Sequence, residues 1–251
     1  MLPKNLISLQ HPFVKELVLL RKDRSFRREQ KKALVVGEKM VKELSSLNQL
    51  LLAVLVEEGK SLPFATRAPI ITVTPEILKK ITGVMNPEPY AALVNLPSFQ
   101  NLKNTTHLLV LDGIADPGNL GTLLRTALAL GWSGVYITEN SCDPFNDKAL
   151  RAAKGATFRI PLQQGSWDDL LKILKSFTVF VGDIEGSPLP TNAPKAPIAL
   201  ILSKESKGPR DATSDTQFHK ITIPMSGLME SLNVSAAGAI LLQRLKEGTT
   251  S

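Results

Sequence analysis

Three short stretches of this 251-residue chain place polar side chains where apolar runs end and helical patterns begin. "IADPGNLGTLLRTALALG" follows "HLLVLDG" with a Pro117-Gly118 turn, Asn119 where a helix cap would sit, and Arg125 on the helix itself. "SKESKGP" follows "APIALILS" and sets Glu205 in a loop that ends in Gly208 and Pro209. "IPMSGLMESLNVSAAGAILLQ" carries Ser231 and Asn233 into a last helix whose early residues, Ala236, Ala237, Gly238 and Ala239, are small. Singly, each has a plain structural account: Ser231 as a cap, Arg125 as a solvated helix residue, Glu205 as an exposed loop carboxylate. Together they supply amide and hydroxyl groups, one guanidinium and one carboxylate, a set suited to positioning and charge stabilisation.

Other chemistries lose support. The single cysteine, Cys142, excludes an internal disulfide and a cysteine-clustered zinc site, and it lies in a turn beside Asp143-Pro144, which reads as structural. His11, His107 and His219 are too scattered to suggest metal ligands, so no catalytic metal is expected. Walker, dinucleotide-binding, Gly-x-Ser-x-Gly and His-Glu-x-x-His patterns are missing from the sequence.

The elements that must position these residues follow from periodicity. Leu120, Leu123, Leu124, Ala127 and Leu128 recur at helical spacing and leave Arg125 on another side of that helix. Residues 1–100 alternate apolar runs ("ALVVG", "LLAVLVEE", "APIITV", "YAALVNL") with helical ones ("EKMVKELSSL", "PEILKKITG"), predicting a smaller α/β domain. The polar stretch 97–107 marks a boundary, with 101–107 as linker. From 108 to 251, strands such as "GVYIT", "TFRIP", "FTVFVGD" and "KITIP" are short and apolar throughout, as parallel strands covered on both faces are. Ligand loops are then expected at their C-terminal ends. "GSPLPTNAPKAP" (186–197) reads as a surface loop.

Composition sets the outer limits. With 43% apolar residues the chain can bury a core, and no stretch reaches the roughly 20 apolar residues of a membrane span. The first residues lack the order of a signal peptide, so a cytoplasmic protein is expected. The net charge of +7 is uneven: residues 1–100 hold 15 Lys+Arg against 9 Asp+Glu, residues 101–251 hold 15 against 14. Lys15, Arg21, Arg24, Arg27 and Arg28 concentrate it, either as a solvated helix face or as a surface for nucleic-acid phosphates.

The three stretches, in this order, resemble the motifs of the SpoU (TrmH-like) RNA ribose 2′-O-methyltransferases of the SPOUT superfamily: Asn119 and Arg125, then Glu205, then Ser231-Leu232-Asn233. The resemblance runs over residues 108–247. It extends to "ALRAAKGATFRIP", similar to the family's Arg-Ala-Ser-x-Gly segment, which adds Arg151 to the RNA-facing residues. "VVGEKMVKEL" and "NPEPYAALV" are similar to the family's RNA-binding N-terminal domain. Two positions depart from the pattern: Ser203 stands where the middle motif usually opens with Gly, and Ala153 replaces the Ser of the Arg-Ala-Ser segment.

The resemblance implies an α/β protein with a C-terminal parallel-sheet SPOUT domain tied in a trefoil knot and a smaller L30e-like N-terminal domain (1–100) that binds substrate RNA. It implies S-adenosylmethionine held largely by main-chain groups around Leu202, Ser203, Gly208, Ile223, Met225 and Leu232, with Asn119, Arg125, Glu205, Ser231 and Asn233 as the catalytic set. It further implies a homodimer formed by the C-terminal domains and 2′-O-methylation of structured RNA, rRNA rather than tRNA. A rival reading, resting on Ser203 and Ala153, is an RNA-binding protein with a vestigial pocket.

Overall fold

The computed structural model describes residues 2–46, 51–102, 104–189, 197–203 and 218–248, and the chain forms two compact units, Met1–Ser98 with Phe145–Gly155, and Phe99–Pro144 with Ala156–Ser251.

The first unit contains β1 (Asn5–Leu6), α1 (Pro12–Lys22), α2 (Arg24–Gln30), β2 (Lys32–Val36), α3 (Glu38–Ser45), β3 (Leu51–Glu57), β4 (Ile70–Val73), α4 (Pro75–Thr82) and β5 (Tyr90–Asn95). Its sheet runs β1-β4-β3-β5-β2, parallel across β1, β4 and β3 and antiparallel from β3 through β5 to β2. Leu17 and Leu20 of α1 and Ile77 and Ile81 of α4 share one core with Leu55, Ile71 and Leu93 of the sheet. The basic stretch is two helices rather than one. Asp23 is extended (φ −111, ψ 117); its N–H closes α1 on Leu19 O, and its Oδ1 accepts from Phe26 N at 2.9 Å to open α2.

The second unit contains β6 (His107–Asp112), α5 (Pro117–Ala129) and β7 (Gly134–Thr138). After α6 (Asp147–Ala153) it resumes with β8 (Leu162–Gly165), α7 (Trp167–Leu174), β9 (Thr178–Pro188), β10 (Ile198–Ser203), β11 (Phe218–Thr222) and α8 (Val234–Gly248). The six described strands are parallel, in the order β11-β9-β10-β6-β7-β8. β6 and β7 are buried along their whole length, which explains their unbroken apolar runs.

Three details differ from the sequence reading. Helix α6 groups with the first unit: its buried face, Ala149, Leu150 and Ala153, lies against β2. "TFRIP" is not a strand, since Ala156–Phe158 forms a 3-10 turn and β8 starts only at Leu162. Gly186 to Pro188 belong to β9, paired with β11 as Ser187 to Ile221 and Pro188 to Thr222; Pro fits because it ends the strand. Between these pairs and the regular ladder the register jumps: Lys220 faces Val181 and the next residue, Ile221, faces Ser187, so Gly182–Gly186 have no opposite residue on β11. Among the described residues no helix is long and apolar enough to cross a membrane.

Candidate functional site

A pocket of about 280 Å³ opens where β10 and β11 end, beside the unmatched stretch of β9 and the start of α8. Leu202, Ile221, Val234 and Leu241 give it apolar walls, and Ser203, Asp183 and Glu230 give it polar ones. Ile223, Met225, Ser231 and Leu232 complete the side formed by the segment between β11 and α8. The structure therefore brings together five of the residues expected around a cofactor (Leu202, Ser203, Ile223, Met225, Leu232) and one expected in catalysis, Ser231. Glu205 and Gly208 lie outside the described residues.

The small residues of α8 explain how the helix reaches this position. A Cβ on Gly238 would collide with the Leu123 side chain of α5 and lie 2.7 Å from Leu202 Cδ1, so α8 can approach both elements only without one. Leu202 is thereby clamped between the pocket and the helix. A Cβ on Gly182 would lie 3.1 Å from Leu202 Cδ2 and 3.3 Å from Leu241 Cδ1, filling space at the opposite wall.

Two expected roles change. Asn119 does not cap α5; Asp116 does, its Oδ1 accepting from Asn119 N at 2.8 Å, because Pro117 occupies the first helical position and moves Asn119 into the first turn. Asn233 does not line the pocket: its Oδ1 accepts from Ser235 N at 2.9 Å and Ser235 Oγ at 2.6 Å, so it is Asn233 that holds the start of α8, while Ser231 faces the pocket. Arg125 is exposed on α5 and lines no part of the pocket. The loop before α5 is nonetheless fixed. Gly113 N donates to Thr138 Oγ1 at 3.1 Å and Ile114 N to Ser141 Oγ at 3.2 Å, while buried Asp112 accepts from Trp167 Nε1 at 3.0 Å.

Among the basic residues, Lys15 and Arg28 are exposed and Arg21 and Arg24 half-buried. Arg27 is a correction. It is 2% exposed and its Nη1 donates to Leu20 O at 2.7 Å and Arg21 O at 2.9 Å, so its charge holds the α1–α2 junction and is out of reach of a nucleic acid. Arg151 pairs with Asp147 at 2.9 Å along α6.

Asp183 and Glu230 were not picked out from sequence, although Asp183 closes the apolar run "FTVFVGD" that reads as a strand. Burial pushes the Asp183 carboxyl up, but the Glu185 N–H and the Lys220 ammonium outweigh it and hold the group below its ordinary value. Lys220 thereby balances the Asp183 charge, which leaves Glu230 as the other acid of the wall. S-adenosylmethionine, the cofactor that the resemblance implies, needs an apolar slot for its adenine, hydrogen-bonding groups at the edge and tolerance of a sulfonium charge. The pocket supplies Leu202 and Ile221 for the first and the Glu230 carboxylate for the last; for the second it has Ser203 Oγ, buried with no hydrogen-bond partner among the described residues. The residues fit the group.

Comparison with known proteins points the same way. A family model described as the SpoU rRNA Methylase family matches residues 106–243. The 23S rRNA (guanosine(2553)-2′-O)-methyltransferase RlmP of Bacillus subtilis (strain 168) is 30% identical over 221 residues, 85% of this chain and 88% of that protein. A solved RNA 2′-O ribose methyltransferase is similar with a TM-score of 0.81 and 27% identity, covering 97% of this chain and 98% of that one. An AdoMet-bound rRNA methyltransferase from Sinorhizobium meliloti shares the fold, with a TM-score of 0.85 at 24% identity over 97% of each chain. Matched by the family model over more than half its length, and by a relative over most of it, this chain belongs to the SpoU rRNA methylase family.

Proposed function

We propose that this protein uses S-adenosylmethionine to methylate a ribose 2′-hydroxyl of ribosomal RNA, in the cytoplasm. The observation that carries the reading is the convergence of the second and third motif segments, through Leu202, Ser203, Ile223, Met225, Ser231 and Leu232, on one pocket in a chain of this family. When bound, the cofactor supplies an electrophilic methyl group on a sulfonium.

Main-chain groups of Leu202, Ser203, Gly208, Ile223, Met225 and Leu232 hold the cofactor in this reading. Arg125 serves as a cation and not as a base: its planar fork holds the target phosphate and stabilises charge developing on the ribose oxygen, whose proton passes to solvent. Asn119, Glu205 and Ser231 orient the ribose by hydrogen bonds, and Asn233 fixes the turn that presents Ser231. Lys15, Arg21, Arg24, Arg28 and Arg151 contact RNA phosphates, with residues 1–100 as the RNA-binding, L30e-like domain. The unit that carries the pocket is the family's trefoil-knotted domain, a reading supported by the strand order, in which β10 runs between β6 and β9.

The active assembly is a homodimer of C-terminal units. Arg125 lies outside its own chain's pocket, and the segment between β11 and α8 carries exposed Leu228 (87%) and Met229 (70%) just before pocket-lining Glu230, so a second copy covers this segment and completes the site. Full activity from a monomer in light scattering would overturn this part.

The reaction itself is tested by incubating the protein with methyl-labelled S-adenosylmethionine and rRNA from cells lacking the gene. Label is expected in an alkali-resistant dinucleotide, the mark of a blocked 2′-oxygen. No incorporation, or label on a base, would overturn the assignment.

A further inference from the structure

We propose that the Ser203 hydroxyl is itself a hydrogen-bonding partner of the bound cofactor, so that this chain supplements main-chain recognition with a side chain where the family pattern has only glycine. The inference rests on the cofactor reading above and goes beyond it, because the resemblance assigns this position nothing more than main-chain contact.

Ser203 is the last residue of β10, opposite Asp112 of β6, next to Leu202 in the pocket wall. Its Oγ is sealed from solvent and has no hydrogen-bond partner among the described residues. Other hydroxyls at this end of the sheet are satisfied: Ser141 Oγ donates to Leu111 O at 3.0 Å and accepts from Ile114 N, and Thr138 Oγ1 accepts from Gly113 N. Of the buried side-chain polar atoms left without a partner among the described residues, Ser203 Oγ is the one whose residue lines the pocket. A buried hydroxyl with no partner destabilises the folded chain, and such a group in a native protein calls for an explanation. A ligand that arrives in the pocket supplies one.

Backbone geometry gives no competing reason for the serine. Among the described residues the non-glycine ones at positive φ are Lys31 and Lys154, so Ser203 sits in ordinary strand conformation, where Ala fits as well as Ser and Gly adds only backbone freedom. Serine is also small enough to turn about χ1 among its staggered positions and meet a ligand atom without moving β10.

The two states of the protein therefore make opposite demands, and that opposition is the test. In the full-length protein, Ser203→Ala is expected to leave the ligand-free melting temperature unchanged or raise it, and to weaken S-adenosylmethionine binding by calorimetry about fivefold to tenfold, one hydrogen bond's worth. Ser203→Gly, which installs the family's residue, is expected to lose the same affinity. Wild-type affinity in both variants would overturn the inference. So would a lower ligand-free melting temperature in Ser203→Ala, whatever its affinity, since the hydroxyl would then have a partner without the cofactor. If the wild type binds no S-adenosylmethionine, the functional reading fails at that step, before the variants are compared.

Discussion

Lys220 Nζ lies 3.0 Å from Asp183 Oδ2, tying the last regular pair of β9 and β11 to the pocket wall. Asp183 Oδ1 accepts from Glu185 N at 3.0 Å, so both carboxylate oxygens are used and the unmatched stretch of β9 is pinned in place. Lys220 gains in turn: the hydrogen bond and charge of Asp183 raise its pKa.

This arrangement makes stability depend on pH in a defined direction. The Asp183 carboxyl titrates below its ordinary 3.8 in the folded chain, so its contribution is complete above that value and is lost as the pH falls through the folded one. Asp183→Asn is expected to melt below wild type at neutral pH, and the gap is expected to narrow only below about pH 4. A gap that stays constant down to pH 2 would show that the acid acts by shape alone.

Arg27 and Arg28 are adjacent in α2 but have separate duties. Arg27→Met removes buried donors from Leu20 O and Arg21 O and is expected to cost about 3 kcal/mol in urea unfolding. Arg28→Ala, at an exposed position, is expected to change stability by about 0.5 kcal/mol or less and to lower the salt slope of RNA binding by about 1.

Gly238→Ala sets helix propensity against packing. Alanine favours a helix by about 1 kcal/mol, while forcing a methyl group against Leu123 and Leu202 costs about 1–3 kcal/mol. The net expectation is a loss of about 1 kcal/mol in unfolding, and weaker S-adenosylmethionine binding, because Leu202 must shift into the pocket. A stabilised variant would contradict the packing.

For Arg125, Lys is the informative replacement, keeping the charge but not the fork. Arg125→Lys is expected to slow single-turnover methylation by about 10²-fold while stability and S-adenosylmethionine affinity stay near wild type. Near-normal single-turnover rates would remove the positioning role.

How much of this was legible in the sequence depended on how local each cause is. The strands β6, β7 and β10 announce themselves as unbroken apolar runs, and parallel strands that end together predict ligand groups at those ends, while the choice of Leu202, Ser203, Ile223 and Met225 among them comes from the family resemblance. Asp116 and Asn119 were confused because both are good caps and only the Pro117 between them decides. Arg27 reads as one more surface charge until the break at Asp23 folds it beneath two carbonyls. Asp183 became visible only when Lys220, 37 residues on, arrived beside it, and the grouping of α6 with the first unit depends on a partner strand, β2, more than a hundred residues earlier.

The skipped register of β9 bears on how this wall of the pocket tolerates change. Gly182–Gly186 span a single step of β11, so what fits there is a number of residues between two anchored pairs, Val181 with Lys220 and Ser187 with Ile221. Exchanging exposed Ile184 for another side chain leaves that count intact, whereas deleting one residue shortens the path between the two pairs and strains the match of Ser187 and Pro188 with Ile221 and Thr222. Exchange of side chains is cheap at Ile184 but not at Gly186, where a Cβ would lie 2.7 Å from the Ile221 backbone, or at Asp183, so chains descended from this one can vary the tip of this wall while keeping its span and those two residues.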